Sequence, residues 1–101
     1  MTQLSGTQIV RKRLATRYDC NIVAQVETKF GAISCQVQNI SSTGLMASTT
    51  SVAQLVVGQV VNISQAELGK LKGIVMWTSI GKFGISFSHP ISDGKLSNIS
   101  K

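Results

Sequence analysis

Acidic residues are scarce in this chain of 101 residues. There are four, Asp19, Glu27, Glu67 and Asp93, against ten lysines and arginines, for a formal net charge of +6. The four carboxylates are dispersed, with no pair spaced for acid–base work. Histidine occurs once, at His89 before the single proline, Pro90, with no serine, cysteine or carboxylate identifiable as its partner for catalysis. The two cysteines, Cys20 and Cys35, are too few for a disulfide framework, and neither belongs to a C-x-x-C pair, so no metal site is expected. Neither a P-loop nor a G-x-G-x-x-G is present. No apolar run approaches the eighteen or so residues of a membrane helix; Leu55-Val56-Val57 is cut short by Gly58 and Gln59. Met1 to Val10 is polar and lacks the apolar stretch of a signal peptide. These absences lead us to expect a cytoplasmic, single-domain protein that is not an enzyme, holds no metal or cofactor and does not insert into membranes.

What is present is a core and a concentrated charge. At 43% apolar residues the chain can bury a modest core. Arg11, Lys12, Arg13 and Arg17 put four positive charges within seven residues, while the other lysines are scattered. A basic arm on an otherwise mild domain favours an anionic partner; a solvated tail is the plainer explanation.

From Tyr18 onward the pattern is that of strands. Ile22, Ala24 and Val26 alternate with Val23, Gln25 and Glu27. After Phe30-Gly31, Ile33, Cys35 and Val37 alternate with Ser34, Gln36 and Gln38. Period-two runs around a glycine turn predict an antiparallel hairpin with one buried face. A turn at Phe30-Gly31 sets Cys35 opposite Val26 and Cys20 opposite Ser41, with the thiols about 20 Å apart, and both read as small buried hydrophobes. Leu45 to Ser48 and Val60 to Ile63 read as further strands. Thr49 to Gly58 reads as a loop with one irregular turn. Lys72 to Ser79 and Lys82 to Ser88 read as a second hairpin through Ile80-Gly81, ended by Pro90. Phe83, Ile85 and Phe87 share its core face. Trp77 is assigned to core or rim packing, with ligand contact as the lesser alternative. The fold class is therefore all-β: a small antiparallel barrel or sandwich of six strands. Residues 1–10 read as a flexible lead-in, 11–90 as the β domain including the basic arm 11–17, and 91–101 as a polar tail with at most a helical turn or two.

Two motifs stand about twenty-five residues apart. Arg13-Leu14-Ala15-Thr16-Arg17 is R-x-x-x-R, just before the first strand, where an arm can fold over a barrel face. Arginine's planar fork pairs bidentately with phosphate or with guanine O6 and N7, and can stack on a purine. Asn39-Ile40-Ser41-Ser42-Thr43-Gly44 is N-x-S-x-x-G. Asn39 offers an amide to a base edge, Ser41 a hydroxyl to phosphate or base, and Gly44 both a positive φ and close backbone approach. An ordinary polar β-turn explains the same composition. Asn-Ile-Ser also occurs at Asn62 and Asn98, but only Ser41 is followed three residues later by glycine. The residues alone leave open a ligand clamp, a basic barrel binding nucleic acid through aromatic platforms, and a protein–protein module.

The ordered combination resembles the PilZ domain family, bacterial receptors for cyclic di-GMP. The likeness runs from about Arg11 to Ser88 and includes the R-x-x-x-R arm, the strand pair, and N-x-S-x-x-G passing into Leu45-Met46. It continues through Gly73-Ile74-Val75-Met76-Trp77 and Phe83-Gly84-Ile85-Ser86-Phe87. The resemblance implies a six-stranded, Greek-key-like antiparallel barrel that clamps cyclic di-GMP between arm and barrel surface. By position, Arg13 and Arg17, flanked by Arg11 and Lys12, hold phosphates and guanine edges. Asn39 and Ser41 contact a guanine and its phosphate, and Gly44 keeps the turn open. Lys12 stands where the family often has another arginine, which bears on whether one ligand or an intercalated pair is bound, since lysine cannot stack as arginine does. The implied role is control of motility, exopolysaccharide or biofilm through a protein partner or a covalently joined effector domain. DNA is not an expected partner. A ligand-free module that keeps the fold for protein contact is the alternative, and intact Arg13, Arg17, Asn39, Ser41 and Gly44 argue against it.

Overall fold

A computed structural model describes residues 16–99; Arg11, Lys12 and Arg13 lie outside the described residues. Six strands follow one another: β1 (Tyr18–Thr28), β2 (Gly31–Ile40), β3 (Gly44–Ser48), β4 (Val60–Gln65), β5 (Gly69–Ser79) and β6 (Lys82–Phe87). A short helix α1 (Asp93–Ser97) comes last. All pairings are antiparallel, and the strands close into a barrel in the order β1-β2-β3-β6-β5-β4. Closure removes the free edges that an open sheet of this size would expose.

Alternation decides which side chains fill the barrel. Ala24 and Val26 of β1, Ile33, Cys35 and Val37 of β2, and Phe83, Ile85 and Phe87 of β6 all point inward and are buried. Val61 and Ile63 of β4 and Val75 of β5 complete the interior. Burying side chains of this size contributes about 1.5–3 kcal/mol each. The loop after β3 contains a single 3-10 turn, Val52–Gln54, that seats Leu55 in the core.

The first hairpin differs from expectation by two residues. The turn is Lys29-Phe30, and Gly31 already pairs with Thr28. Gly31 has a φ of +127°, and the Thr28 hydroxyl locks the turn by accepting from Phe30 N–H and donating to the Gly31 carbonyl, both at 2.9 Å. Cys35 consequently lies opposite Ala24, not Val26. Cys20 falls in a bulge of β1 between Asp19 and Ile22 and points its thiol at the Val37 carbonyl, 3.6 Å away. The thiols are thus about 13 Å apart along the strands, rather than 20, and both are free.

The segment after Pro90 also packs more tightly than its polarity suggests. Ile91, Leu96 and Ile99 are buried in the same core. Ser92 caps α1 by accepting from Lys95 N–H. Among the described residues no helix is long and apolar enough to cross a membrane.

Candidate functional site

Two β-bulges aim side chains at one outer face. On β2, Val37 pairs with Ala47 and Asn39 with Met46, so Gln38 is an extra residue. Strict alternation from the inward Val37 would turn Asn39 inward as well; the bulge turns it outward and returns Ile40 to the core. On β5, Val75 pairs with Ile85 and Trp77 with Gly84, leaving Met76 as the extra residue. Trp77 therefore faces out and is 40% exposed. The ring is therefore not in the core; it packs on the outer face against Gly84.

The register then lines these residues up. Asp19 pairs with Asn39, Asn39 with Met46, Met46 with Gly84, and Gly84 with Trp77. One row thus crosses five strands, from the Asp19 carboxylate through the Asn39 amide to the Trp77 indole. The neighbouring row places Ser86 beside Gly44. A cleft of about 270 Å³ lies over these rows. Arg17, Asn39, Ser41 and Gly44 line it, together with Thr43, Met46, Trp77 and Ser86.

Of the seven residues expected at the site, the four within the described chain come together here. Arg17 is exposed at the rim, immediately before β1, able to turn its guanidinium toward an anion. Asn39 is half-buried on β2.

Ser41 and Gly44 are placed differently from expectation in detail. Ser41 is 9% exposed, and its hydroxyl accepts from Thr43 N–H at 3.2 Å and donates to the Gly44 carbonyl at 3.4 Å. Its own N–H also donates to that carbonyl, at 2.8 Å. The hydroxyl thus braces the turn from inside, and the exposed side chain at its crest is Thr43. Among the described residues the glycines with positive φ are Gly31, Gly58, Gly69 and Gly81, and Gly44 is not one of them. Of the two freedoms a glycine offers there, positive φ is not used. Only close approach requires a glycine here, because a Cβ would collide with the Ile85 carbonyl oxygen of β6.

The turn is also anchored from below. Phe87 N–H donates to the Thr43 carbonyl at 2.8 Å, and Ile91 N–H to the Ser42 carbonyl at 2.9 Å. The end of β6 and the C-terminal segment thereby together hold the 41–44 turn on the barrel.

Thr43, Met46, Ser86 and Trp77 were not singled out as site residues from the sequence. Thr43 sits inside the second motif and Met46 just after it, but Ser86 and Trp77 join them only through strand pairing. Among the described residues, no group of three or more His, Cys, Asp or Glu is placed to hold a metal ion.

The cleft on the outer face of this closed antiparallel barrel is thus lined by an arginine, an amide and hydroxyls beside apolar side chains. The chain belongs to the PilZ domain family, whose profile matches residues 11–100. No curated protein is detectably similar in sequence. Several solved structures share the fold, among them the following two. The Bacillus subtilis inhibitor of motility (MotI/DgrA) superposes with a TM-score of 0.66 at 13% identity, over 89% of this chain and 49% of its own. The PilZ domain of CeSA from a cellulose-synthesizing bacterium superposes with a TM-score of 0.65 at 16% identity, over 81% of this chain and 89% of its own. This chain therefore spans about half the length of the motility inhibitor.

Proposed function

We propose that this domain is a cyclic di-GMP receptor that changes conformation on binding and so regulates a protein partner. One observation carries the reading: Arg17 from the first motif lines the same cleft as Asn39, Ser41 and Gly44 from the second. The cleft's donors suit the ligand. Arg17 with Arg13 supplies forks for phosphate or guanine edges, Asn39 an amide for a guanine edge, and Thr43 a hydroxyl at the turn. Arg11 and Lys12 add charge to the arm. In this mechanism the arm's like charges repel until the ligand's two phosphates neutralise them, and the arm then closes over the barrel face. The regulated machine is of the kind named for the structural neighbours, an inhibitor of motility and a domain from a cellulose-synthesizing bacterium. A cytoplasmic location fits such a second-messenger role.

Isothermal titration of cyclic di-GMP into the wild type and Asn39→Ala tests this reading. Saturable binding, weakened by about tenfold or more in the variant, is expected for the loss of a guanine-edge contact. Equal binding by both proteins contradicts the assignment of Asn39.

A second reading, a barrel used for protein contact, draws on one specific observation. Phe30, Val56, Val57 and Val60 are each more than half exposed and line a separate apolar cleft of about 530 Å³. The two readings are compatible, since a receptor must also touch what it regulates.

A further inference from the structure

We propose that one end of the barrel docks on the surface of an anionic lipid bilayer through the side chains of its three loops. The contact is peripheral, with no segment crossing the bilayer. It goes beyond the receptor reading and does not depend on it.

Topology gathers the loops. In an all-antiparallel barrel, successive connections alternate between the two ends. The β1–β2 turn (29–30), the β3–β4 loop (49–59) and the β5–β6 turn (80–81) therefore share one end. The motif turn (41–43) and the β4–β5 turn (66–68) lie at the other. The long loop ties its end together: Thr49 N–H donates to the Gly81 carbonyl at 2.9 Å, and Val56 and Val57 share a cleft with Lys29 and Phe30.

Composition then separates the two ends. Each connection at the loop end presents large apolar side chains to solvent: Phe30 (67% exposed), Val56 and Val57 (56% each) and Ile80 (97%). None of the three connections contains a carboxylate, and Lys29 and Lys82 stand exposed in or beside two of them. Of the four carboxylates, Asp19, Glu67 and Asp93 lie toward the opposite end, and Glu27 on β1 is the nearest to the loops. Apolar tips flanked by lysines complement an anionic bilayer. The side chains enter the boundary of the acyl region while the ammonium groups meet lipid phosphates.

The backbone of the tips is prepared for the loss of water. Phe30 N–H donates to the Thr28 hydroxyl at 2.9 Å and Val56 N–H to Gln59 Oε1 at 3.1 Å. Leu55, Gly58 and Gln59 N–H donate to the Val52, Val75 and Val56 carbonyls at 3.0, 2.7 and 3.0 Å. Donors already paired within the protein lower the cost of leaving water. A fluid bilayer also adapts to apolar tips spread over three loops, whereas a folded partner needs a matching hollow for each. Arg17 and the motif turn lie toward the far end, so docking leaves the Asn39 cleft open to solvent.

The full chain is sedimented with vesicles of phosphatidylcholine alone and of equal parts phosphatidylcholine and phosphatidylglycerol, with circular dichroism for the fold. Binding to the anionic vesicles and little to the neutral ones is expected. Phe30→Ser combined with Ile80→Ser is expected to weaken it by roughly tenfold or more, and so is Lys29→Glu combined with Lys82→Glu. Lys70→Glu combined with Lys95→Glu makes the same change of charge away from the loops, on β5 beside Ser64 and in α1. It is expected to weaken binding by no more than about twofold. Equal losses in the two lysine pairs, or none in the Phe30 and Ile80 variant, would mean that net charge or the basic arm alone attracts lipid, and would overturn the docking surface. Equal binding to both vesicles, or no binding by the folded wild type, overturns it too. In the latter case, sedimentation velocity shows whether this end pairs with a second copy instead. If the Phe30 and Ile80 variant fails to fold, the two lysine pairs decide. Binding of cyclic di-GMP is read separately by calorimetry, so failure of the receptor reading leaves this test unaffected.

Discussion

At the scale of single residues, the site depends on backbones brought closer than side chains allow. Gly44 is the sharpest case. Any Cβ there meets the Ile85 carbonyl, and a backbone oxygen cannot rotate away as a side chain can. Gly44→Ala should part β3 from β6 and cost about 1–3 kcal/mol, a typical overpacking cost, read as a lower urea midpoint with unchanged slope. The contrast with Gly84 is instructive: its obstructing neighbour is the Trp77 side chain, which can swing out, so Gly84→Ala should cost less stability than Gly44→Ala. Ser41 belongs with Gly44, since its hydroxyl is occupied in bracing the turn. Ser41→Ala should therefore lower stability as well as affinity, by about 1 kcal/mol for the lost hydrogen bonds. A variant that loses affinity at unchanged stability would instead show that hydroxyl meeting the ligand directly.

At the scale of elements, the C-terminal segment does more than end the chain. Leu96 is fully buried, and Ile91, just after β6, donates its N–H to the Ser42 carbonyl of the motif turn, beside the bond from Phe87 of β6 to Thr43. Leu96→Ala should cost about 2–5 kcal/mol and also weaken ligand binding, measured by urea unfolding and calorimetry on the same preparation. An effect on stability without any on affinity would mean the turn holds its shape without this support. How much of this was legible follows from period. The core faces of β2 and β6 were plain, because Ile33, Cys35 and Val37, and Phe83, Ile85 and Phe87, alternate without interruption. The hairpin register was missed by two residues because Gly31 begins β2 instead of forming the turn's centre. The bulges at Gln38 and Met76 were not legible at all. An extra residue shows only against the partner strand, so the outward turn of Trp77 had no signal along the chain. Ile91, Leu96 and Ile99 were missed because their spacing fits neither a strand nor a regular helix. Asn39, Ser41, Gly44 and Arg17 were legible as motif residues, and of the two freedoms that glycine offers at Gly44 only close approach is used.

At the scale of the whole molecule, burial and charge set how the barrel responds to solution conditions. Burial pushes the Cys35 thiol up to about 11, with a backbone hydrogen bond at Ala24 acting the other way. The folded state therefore holds this proton more tightly than the unfolded chain. The resulting stability is fully present below the ordinary thiol range and is lost as pH rises from about 9 through about 11. Urea unfolding across that window should show a steeper decline for wild type than for Cys35→Ala; parallel declines would contradict this. The Cys20 thiol is raised too, by burial and by the Asp19 carboxylate. Net charge of +6 acts on the ligand side, since contacts between arginines and phosphates weaken as salt screens them. Affinity for cyclic di-GMP should fall steadily from low to high salt.

The most direct measurement is calorimetric titration of cyclic di-GMP into the full chain, beside Arg13→Ala and with GTP as the control ligand. Tight binding that is lost in Arg13→Ala and absent for GTP is the predicted result, and its stoichiometry decides between one ligand and an intercalated pair at Lys12. No heat at any temperature tried, with the barrel intact by circular dichroism, would contradict the receptor function and leave the exposed cleft around Phe30 and Val57 as the working surface.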